Sequence, residues 1–276
     1  MNNLPIPGSK PFKIAIGSQK GGVSKTTTTL SLGACLTGSN DTPRHNVLLI
    51  DLDPQANLTM ALGVNPGHVR RMVGDALLEQ TSLLAISRES TIPGLDVVPA
   101  NQGLLVLDKV LFGRPNFEHR LQQQITDTLG QHYDFVIFDC PPAFGTLTMN
   151  ALTAADLLII PVPCDYFSAR SLQQFLELVT LIQRNTNPRL RYRILITMYD
   201  KRNRISRIIQ DQLRRKFGAA LFDTIVSTDV KLRESPVVGQ PITLYAPNSR
   251  SAGEYQALAM ELMQDEQTRT SSQTAA

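Results

Sequence analysis

Uninterrupted runs of apolar residues alternate along the chain with segments whose apolar residues recur at helical spacing. The runs lack the polar alternation of half-exposed strands, so we expect strands that are buried on both faces of a sheet. Six strands are predicted, at Lys13–Gly17, Asn46–Ile50, Leu95–Pro99, Phe135–Asp139, Leu157–Val162 and Arg193–Thr197. Six helices are predicted, at Lys25–Leu36, Leu104–Leu111, Phe117–Leu129, Ala169–Gln183, Ile205–Phe217 and Ala252–Met263. This alternation is typical of a doubly wound α/β fold with a mostly parallel sheet flanked by helices.

The composition is that of an ordinary globular protein. The chain has 276 residues, of which 42% are apolar and 18% charged. Because no repeat or linker divides it, we expect one domain at residues 12–263, an N-terminal extension at 1–11 and a disordered tail at 264–276. No apolar run approaches the roughly 18 residues of a membrane span. Three widely separated cysteines fit a reducing compartment, so we predict a cytoplasmic protein.

The segment between the first predicted strand and the first predicted helix is rich in glycine and lysine. Residues 20–27 read Lys-Gly-Gly-Val-Ser-Lys-Thr-Thr. A Gly-rich turn before a helix gathers backbone N–H groups, and the helix dipole favours negative charge there. We therefore expect Lys25 to reach the outer phosphates of a nucleotide and Thr26 to bind Mg²⁺. The ordinary phosphate-loop pattern has glycine where this chain has Ser24, and Lys20 is an additional lysine.

Acidic residues end two of the other predicted strands. Asp51 follows the run Val47–Ile50, Asp53 lies two residues further on, and Asp139 ends a second apolar run. Ligands of open α/β sheets bind at the carboxyl ends of the strands. A single aspartate in such a place is more often a helix cap or turn former. Two acidic strand ends together with a phosphate loop predict a Mg²⁺–nucleotide site instead.

These motifs resemble those of the ParA-type partition ATPases, the deviant-Walker branch of the P-loop proteins that also contains the MinD ATPases. The family loop K-G-G-x-x-K-[ST] is matched by Lys20–Thr26, D-x-D-P-Q by Asp51–Gln55, and the strand ending D-C-P-P by Asp139–Pro142. Family-like segments also occur at residues 147–156, 195–200 and 241–249. The resemblance extends from about residue 12 to residue 263, so it implies a P-loop NTPase fold for nearly the whole chain.

The resemblance implies a role for each matched residue. Lys20 would cross to the partner subunit's phosphates in an ATP-bound dimer, Lys25 would bind the β and γ phosphates, and Asp53 would orient the attacking water. Asp139 would hold Mg²⁺ through water, with Asp51 supporting the metal or the loop. The implied metal residues are thus Thr26, Asp51 and Asp139. The implied nucleotide-binding residues are Gly21, Gly22, Val23, Ser24, Lys25, Thr26, Thr27, Met198 and Pro247, the last two beside adenine.

Two positions depart from the family pattern. Ser24 replaces a common glycine and places a Cβ near the phosphates. Asp229 stands where the family stretch I-P-R-x-V-R has its first arginine.

Basic residues are concentrated between Arg184 and Lys216. Eleven basic and two acidic residues give this segment a charge of +9, which leaves −6 for the rest of a chain whose net charge is +3. Such polarity is an electrostatic footprint for polyanions. On the helix from Ile205, we expect a buried apolar face made of Ile205, Ile208, Ile209, Leu213 and Phe217. The arginines are predicted on the other face, where a merely solvated surface would mix both charges.

The resemblance extends to DNA binding. Arg202 and Lys231 fall where the family carries basic residues that contact the DNA backbone, and such contacts read phosphate rather than sequence. No helix-turn-helix precedes the phosphate loop, so we expect non-specific binding. The predicted DNA-binding residues are Arg202, Arg204, Arg207, Arg214, Arg215 and Lys231.

The leading hypothesis is a weak, partner-stimulated ATPase for plasmid or chromosome partition. ATP and Mg²⁺ would drive a homodimer that binds nucleoid DNA, and a ParB-like centromere-binding or adaptor protein would stimulate hydrolysis and release it. A ParA-like ATPase that positions a protein cargo, such as a carboxysome or chemoreceptor cluster, is the alternative. A MinD-like membrane association ranks lower, because the C-terminal segment lacks a basic amphipathic face and no membrane partner is expected. Cys140 and Cys164 lack the spacing of an iron–sulfur cluster.

Overall fold

The computed structural model describes residues 10–38, 45–165 and 168–274. Strands β1 to β8 are Phe12–Ile16, Val47–Asp51, Arg88–Glu89, Leu95–Val98, Phe135–Asp139, Leu157–Pro163, Arg191–Tyr199 and Leu221–Ser227. They form one sheet with the order β3-β4-β2-β5-β1-β6-β7-β8. Neighbouring strands are parallel except at the β3 edge, where β3 and β4 are antiparallel. The mostly parallel sheet predicted from the apolar runs is confirmed.

Helices connect these strands on both faces of the sheet. Helices α1 to α7 are Lys25–Leu36, Asn57–Ala61, Val73–Leu77, Leu83–Ile86, Leu104–Leu111, Arg120–Gln124 and Asp127–His132. Helices α8 to α13 are Thr146–Ala154, Ser168–Asn185, Arg204–Phe217, Val230–Glu234, Ile242–Tyr245 and Arg250–Thr274. Short 3₁₀ turns occupy Pro66–His68, Phe117–His119 and Gly218–Ala220. Within these described residues, no helix is both long enough and apolar enough to cross a membrane.

Two hydrophobic clusters lie on opposite faces of the sheet. Along β1, Ile14 and Ile16 pack into one cluster with α1 and α13, whereas Ala15 packs into the other. Strand β2 divides in the same way, with Leu48 and Leu49 on opposite sides. Because successive side chains of a strand point to opposite faces, an uninterrupted apolar run is what a doubly covered sheet requires. The chain therefore forms a single doubly wound α/β domain.

Helix α1 packs closely on the sheet through a glycine. A Cβ added at Gly33 would lie 2.8 Å from the Cδ2 atom of Leu49, so a larger residue would require the Leu49 side chain or the helix to shift. This close approach matters because α1 begins at the phosphate loop, and β1 lies in the middle of the sheet between β5 and β6. The loop is thereby fixed at the centre of the carboxyl edge.

The structure differs from the predicted elements in a divided helix and in several elements that the pattern does not predict, among them β3, β8 and α8. The helix expected at Phe117–Leu129 is divided into a 3₁₀ turn, α6 and α7, because Thr126 caps a new helix by accepting a hydrogen bond from the Leu129 N–H. Strand β8 was not predicted, since its polar Asp223 and Thr224 interrupt the apolar pattern at the exposed edge of the sheet.

The expectation of a disordered tail from residue 264 is wrong as far as Thr274, because α13 continues to that residue. Arg191 on β7 forms a bidentate ion pair with Glu266, with distances of 2.7 and 2.8 Å. Arg193 pairs with Asp265 and with Glu261. These contacts hold the part of α13 around Asp265 and Glu266 against the sheet. Residues 1–9 of the expected extension and residues 275–276 lie outside the described residues.

Candidate functional site

The phosphate loop joins the end of β1 at Ile16 to the start of α1 at Lys25. Gly22 and Ser24 adopt left-handed backbone conformations, with φ of 71° and 72°. No atom lies within 4 Å of where a Cβ would stand on Gly21 or Gly22. The loop therefore borders open space next to a helix N-terminus, which is the arrangement that backbone N–H groups need to surround a phosphate.

Lys25 is a buried cation in the first turn of α1. Its Nζ atom donates a 3.0 Å hydrogen bond to the carbonyl oxygen of Lys20, so the side chain folds back over the loop. Burial lowers the pKa of Lys25, while the nearby Asp139 carboxylate opposes that shift. An anion bound in the loop would favour the charged form of this lysine.

Thr26 and Asp139 meet at the junction of α1 and β5. The Thr26 hydroxyl donates a 2.7 Å hydrogen bond to Oδ2 of Asp139, and the Thr29 hydroxyl donates to Oδ1 at 3.1 Å. Burial and the Asp51 carboxylate raise the pKa of Asp139 above its ordinary value. One hydroxyl and one carboxylate beside a phosphate loop fit Mg²⁺, which takes one or two carboxylates, phosphate oxygens and water as ligands. Among the described residues, no group of three or more His, Cys, Asp or Glu side chains forms a separate metal cage.

Asp51 is fully buried next to Asp139, and the two residues are paired in the register of β2 and β5. Its Oδ1 accepts a hydrogen bond from the Asp53 N–H at 3.0 Å. Its Oδ2 accepts from the N–H and hydroxyl of Thr59 at 2.9 and 2.7 Å. Burial raises the pKa of Asp51, although these hydrogen bonds oppose the shift. Asp51 is therefore bonded to the loop that follows β2, which fits the loop-supporting part of its expected role.

Asp53 begins that loop and is largely buried at the site. Its Oδ1 accepts a 2.9 Å hydrogen bond from the Gln55 N–H, and its carbonyl oxygen accepts from the Ala56 N–H. Its other carboxylate oxygen accepts no hydrogen bond among those described, so it is available to a water molecule. Asp53 and Asp139 are both close enough to Lys25 to oppose the lowering of its pKa by burial.

Lys20 has a carboxylate partner within its own chain. Its Nζ atom lies 2.5 Å from Oδ2 of Asp165, which follows the end of β6, and both side chains are partly exposed. The pairing sets Lys20 apart from Lys25, whose ammonium group folds back over the loop. No sequence signal marks Asp165, because it follows the apolar run Leu157–Pro163 without any recognisable motif.

A small cavity adjoins the phosphate loop and the segments that follow β7 and β8. Ser24 and Thr27 line it together with Met198, whose backbone is left-handed with φ of 51°. The other lining residues are Val226, Ser227, Thr228, Asp229, Leu232 and Arg233. Asp229 accepts hydrogen bonds from the Lys231 N–H at 3.0 Å and the Ser251 hydroxyl at 2.9 Å. Met198 thus lies beside the phosphate loop, whereas Pro247 is exposed and absent from this lining. The roles of both residues beside adenine stay predictions.

The predicted basic face of α10 is exposed. The exposed arginines are Arg204, Arg207, Arg214 and Arg215. Within the described part of the chain, Arg204, Arg207 and Arg215 have no ion pair. Arg214 lies 4.0 Å from Asp223. The predicted apolar face is narrower than expected, because Ile205 and Ile208 are 53% and 44% exposed. The buried positions are Ser206, Ile209 and Leu213, so the helix is rotated toward Ser206.

Two other parts of the basic segment are neutralised within the chain. Arg191 and Arg193 pair with acidic residues of α13, so they contribute to the fold rather than to an exposed basic surface. Arg202 forms a two-point ion pair with Asp200, with distances of 2.9 and 3.1 Å. Lys231 is exposed on α11. Asp200 is already included in the count of +9, so it is the pairing of Arg191 and Arg193 with α13 that makes the exposed charge smaller than this count.

Thr29 and Thr59 contact the two buried aspartates and were not predicted as site residues. Thr29 belongs to the threonine run after Lys25 and lies one helical turn from it, which is the only signal the sequence offers. Thr59 lies eight residues after Asp51, and its contact arises only when the chain turns into α2.

The phosphate loop follows the carboxyl end of β1, and acidic residues end the adjacent β5 and the next strand, β2. This arrangement places the chain among the P-loop nucleoside triphosphatases. The sequence profile of the AAA domain family matches residues 12–192. The chain is 39% identical over 250 residues to the sporulation initiation inhibitor protein Soj of Bacillus subtilis, covering 90% of this chain and 97% of Soj. It is 37% identical to the chromosome partitioning protein ParA of Myxococcus xanthus, covering 91% and 87% of the two chains. The chain belongs to the ParA family of P-loop ATPases, and ATP hydrolysis with Mg²⁺ is confirmed at the level of that family.

Solved structures share the fold of this chain. The structure of cobyrinic acid a,c-diamide synthase from Mycobacterium smegmatis with bound ADP and magnesium has a TM-score of 0.78 and 31% identity, covering 93% of this chain and 96% of that one. The ATP complex of a McdA variant from Cyanothece has a TM-score of 0.81 at 20% identity, covering 92% and 97%. The second comparison bears on the fold alone.

Proposed function

We propose that the protein is a cytoplasmic, nucleoid-associated ATPase that partitions a plasmid or chromosome as an ATP-bound dimer. One observation carries this proposal: the nucleotide site and the exposed cations Arg204, Arg207 and Lys231 all follow strands at the carboxyl edge of the same sheet. A change of subunit association at the nucleotide site can therefore bring two basic surfaces together.

The nucleotide half of the mechanism assigns a task to each side chain. Backbone N–H groups of residues 21–27 bind the phosphates, and Lys25 neutralises the charge that develops on the outer ones. Thr26 and Asp139 hold Mg²⁺, which when bound offsets phosphate charge. Asp53 orients the attacking water through the carboxylate oxygen that its own loop leaves unused. Asp51 holds the Asp53 loop in place.

Lys20 links ATP binding to formation of the dimer. In the ATP-bound dimer, we propose that Lys20 leaves Asp165 and contacts the phosphates bound to the partner subunit. A cation supplied from a second subunit is worth roughly 10³–10⁵ in phosphoryl-transfer rate. The active site would then be complete only in the dimer, so hydrolysis and dissociation are coupled.

The DNA half of the mechanism rests on exposed arginines and lysine. Arg204, Arg207 and Arg215 have no ion pair among the described residues, so neutralising phosphates requires no internal pair to break. Arg202 would have to exchange Asp200 for a phosphate, and Arg214 is partly compensated by Asp223. Such contacts bind DNA without sequence preference and weaken with salt.

The named relatives favour a DNA cargo over a protein cargo. A chromosome partitioning protein is among the relatives that cover nearly the whole chain at more than 30% identity. We therefore propose that a ParB-like protein, bound to the DNA cargo, is the partner that stimulates hydrolysis. The protein-cargo alternative would use the same nucleotide cycle with a different adaptor.

Binding of the purified protein to a duplex of random sequence tests this proposal. We expect binding with ATP and Mg²⁺, little binding with ADP or without nucleotide, and a steep loss of affinity as salt is raised. Equal binding in all three nucleotide states would contradict the coupling of ATP to DNA. Absence of binding with ATP at low salt would contradict the DNA-partition function.

A further inference from the structure

Thr59 is a fully buried residue of α2 whose hydroxyl joins two loops at the carboxyl edge of the sheet. The hydroxyl donates a 2.7 Å hydrogen bond to Oδ2 of Asp51 at the end of β2. It accepts a 2.9 Å hydrogen bond from the N–H of Ala100, which follows β4. A threonine hydroxyl offers one donor and two acceptor sites, so both partners are served at once.

The carboxylate that Thr59 contacts is itself the anchor of Asp53. Oδ1 of Asp51 accepts the Asp53 N–H at 3.0 Å, while Oδ2 receives the two hydrogen bonds from Thr59. Both oxygens of Asp51 are therefore occupied, and the carboxylate has one orientation. A change at Oδ2 turns the whole group, so it alters the hydrogen bond that fixes the backbone of Asp53.

We propose that Thr59 is a positioning residue for ATP hydrolysis, acting through Asp51 on the carboxylate of Asp53. This inference rests on the proposed role of Asp53 in orienting the attacking water. Catalysis of this kind depends on placement within fractions of an ångström, so a loosened anchor slows the chemical step while the phosphate-binding loop is unaffected.

The hydroxyl can be removed with little change in shape by Thr59→Val. That variant leaves Oδ2 of Asp51 with the Thr59 N–H alone and leaves the Ala100 N–H without its acceptor. Thr59→Ser keeps the hydroxyl and both hydrogen bonds. Thr153→Val is the matched control, because Thr153 is also fully buried and its hydroxyl contacts the Thr186 hydroxyl, away from the two aspartates.

The test compares full-length wild type, Thr59→Val, Thr59→Ser, Thr153→Val and Asp53→Ala. Single-turnover hydrolysis, affinity for MgATP and melting temperature are measured for each. We expect Thr59→Val to lower the hydrolysis rate by roughly 10-fold or more, because displacement of a catalytic group by up to about 1 Å costs rate factors of about 10–100. MgATP affinity should change less than about twofold, because the phosphate-binding loop is unaltered. Thr59→Ser should restore the rate. Both Thr59→Val and Asp53→Ala should accumulate the ATP-bound dimer, because both slow hydrolysis without removing the phosphate-binding loop.

Separate outcomes overturn the inference and the function on which it rests. If Asp53→Ala loses hydrolysis and folded Thr59→Val keeps the wild-type rate, Thr59 has no positioning role. If Thr59→Val and Thr59→Ser are equally slow, or Thr153→Val is as slow as Thr59→Val, the effect is one of general packing and the inference is wrong. If Asp53→Ala hydrolyses ATP normally, the proposed role of Asp53 fails first.

Discussion

The Nζ atom of Lys20 lies 2.5 Å from Oδ2 of Asp165, so the lysine at the front of the phosphate loop is paired within its own subunit. The two side chains are 35% and 43% exposed, and ion pairs of that exposure are worth about 0–1 kcal/mol. Contacts with nucleotide phosphates on a second subunit would exceed that value. The Lys20–Asp165 pair alone is therefore too weak to prevent the transfer that we propose for Lys20.

Asp139 offers a test in the absence of nucleotide, because burial raises its pKa. Above about pH 4 the unfolded chain releases the proton that folded Asp139 retains, so the free energy of unfolding falls as pH rises toward the raised pKa. Asp139→Asn removes this titration. We expect the stability advantage of Asp139→Asn over wild type to grow between about pH 4 and pH 8, as measured by urea unfolding without nucleotide or Mg²⁺.

MgATP provides the internal control for that experiment. It should stabilise wild type and should stabilise Asp139→Asn much less, because the carboxylate that would hold Mg²⁺ is lost. A pH-independent difference between the two unliganded proteins would show that Asp139 is ionised when the protein is folded.

Ser24 provides a test of backbone strain. Its φ of 72° and ψ of 28° lie in the left-handed region, which costs an L-residue about 1–2 kcal/mol. Glycine avoids this cost but loses more entropy on folding. We expect Ser24→Gly to raise the free energy of unfolding by about 0.5–1 kcal/mol. Ser24→Ala keeps the Cβ and should give no gain, so equal stabilisation by both variants would point to the serine hydroxyl instead.

The DNA surface can be tested with two pairs of substitutions. Arg202→Ala with Lys231→Ala removes two exposed cations that follow β7 and β8 at the carboxyl edge. We expect this double variant to lose most ATP-dependent DNA binding and to retain basal ATPase activity. The slope of log affinity against log salt concentration should fall by the equivalent of about two phosphate contacts. Arg184→Ala with Arg189→Ala removes two exposed arginines that precede β7 at the opposite edge and should bind DNA as wild type does. The reverse pattern would place the DNA surface at the amino edge.

The nucleotide site was predictable because its signals are local. The bounds of α1, Lys25–Leu36, are those that the pattern predicts, and the acidic strand ends Asp51 and Asp139 are adjacent in the sheet. Motifs at the carboxyl ends of parallel strands meet by topology alone, so spacing within each motif was sufficient.

The remaining features depend on contacts between distant residues. Asp265 and Glu266, just beyond the predicted end of α13, contact Arg193 and Arg191, which are more than 65 positions away in the sequence. The same pairing explains why the charge count overstated the basic surface. No local pattern distinguishes an arginine that holds a helix from one that faces solvent.

Molar mass measured by light scattering is the most direct test of the proposed switch. We expect wild type to be monomeric with ADP and to double in mass with ATP and Mg²⁺. Lys20→Ala should bind ATP yet remain monomeric, whereas Lys10→Ala, an exposed lysine before β1, should dimerise as wild type does. An ATP-dependent dimer of Lys20→Ala, or a wild-type mass unchanged by ATP, would contradict the role proposed for Lys20.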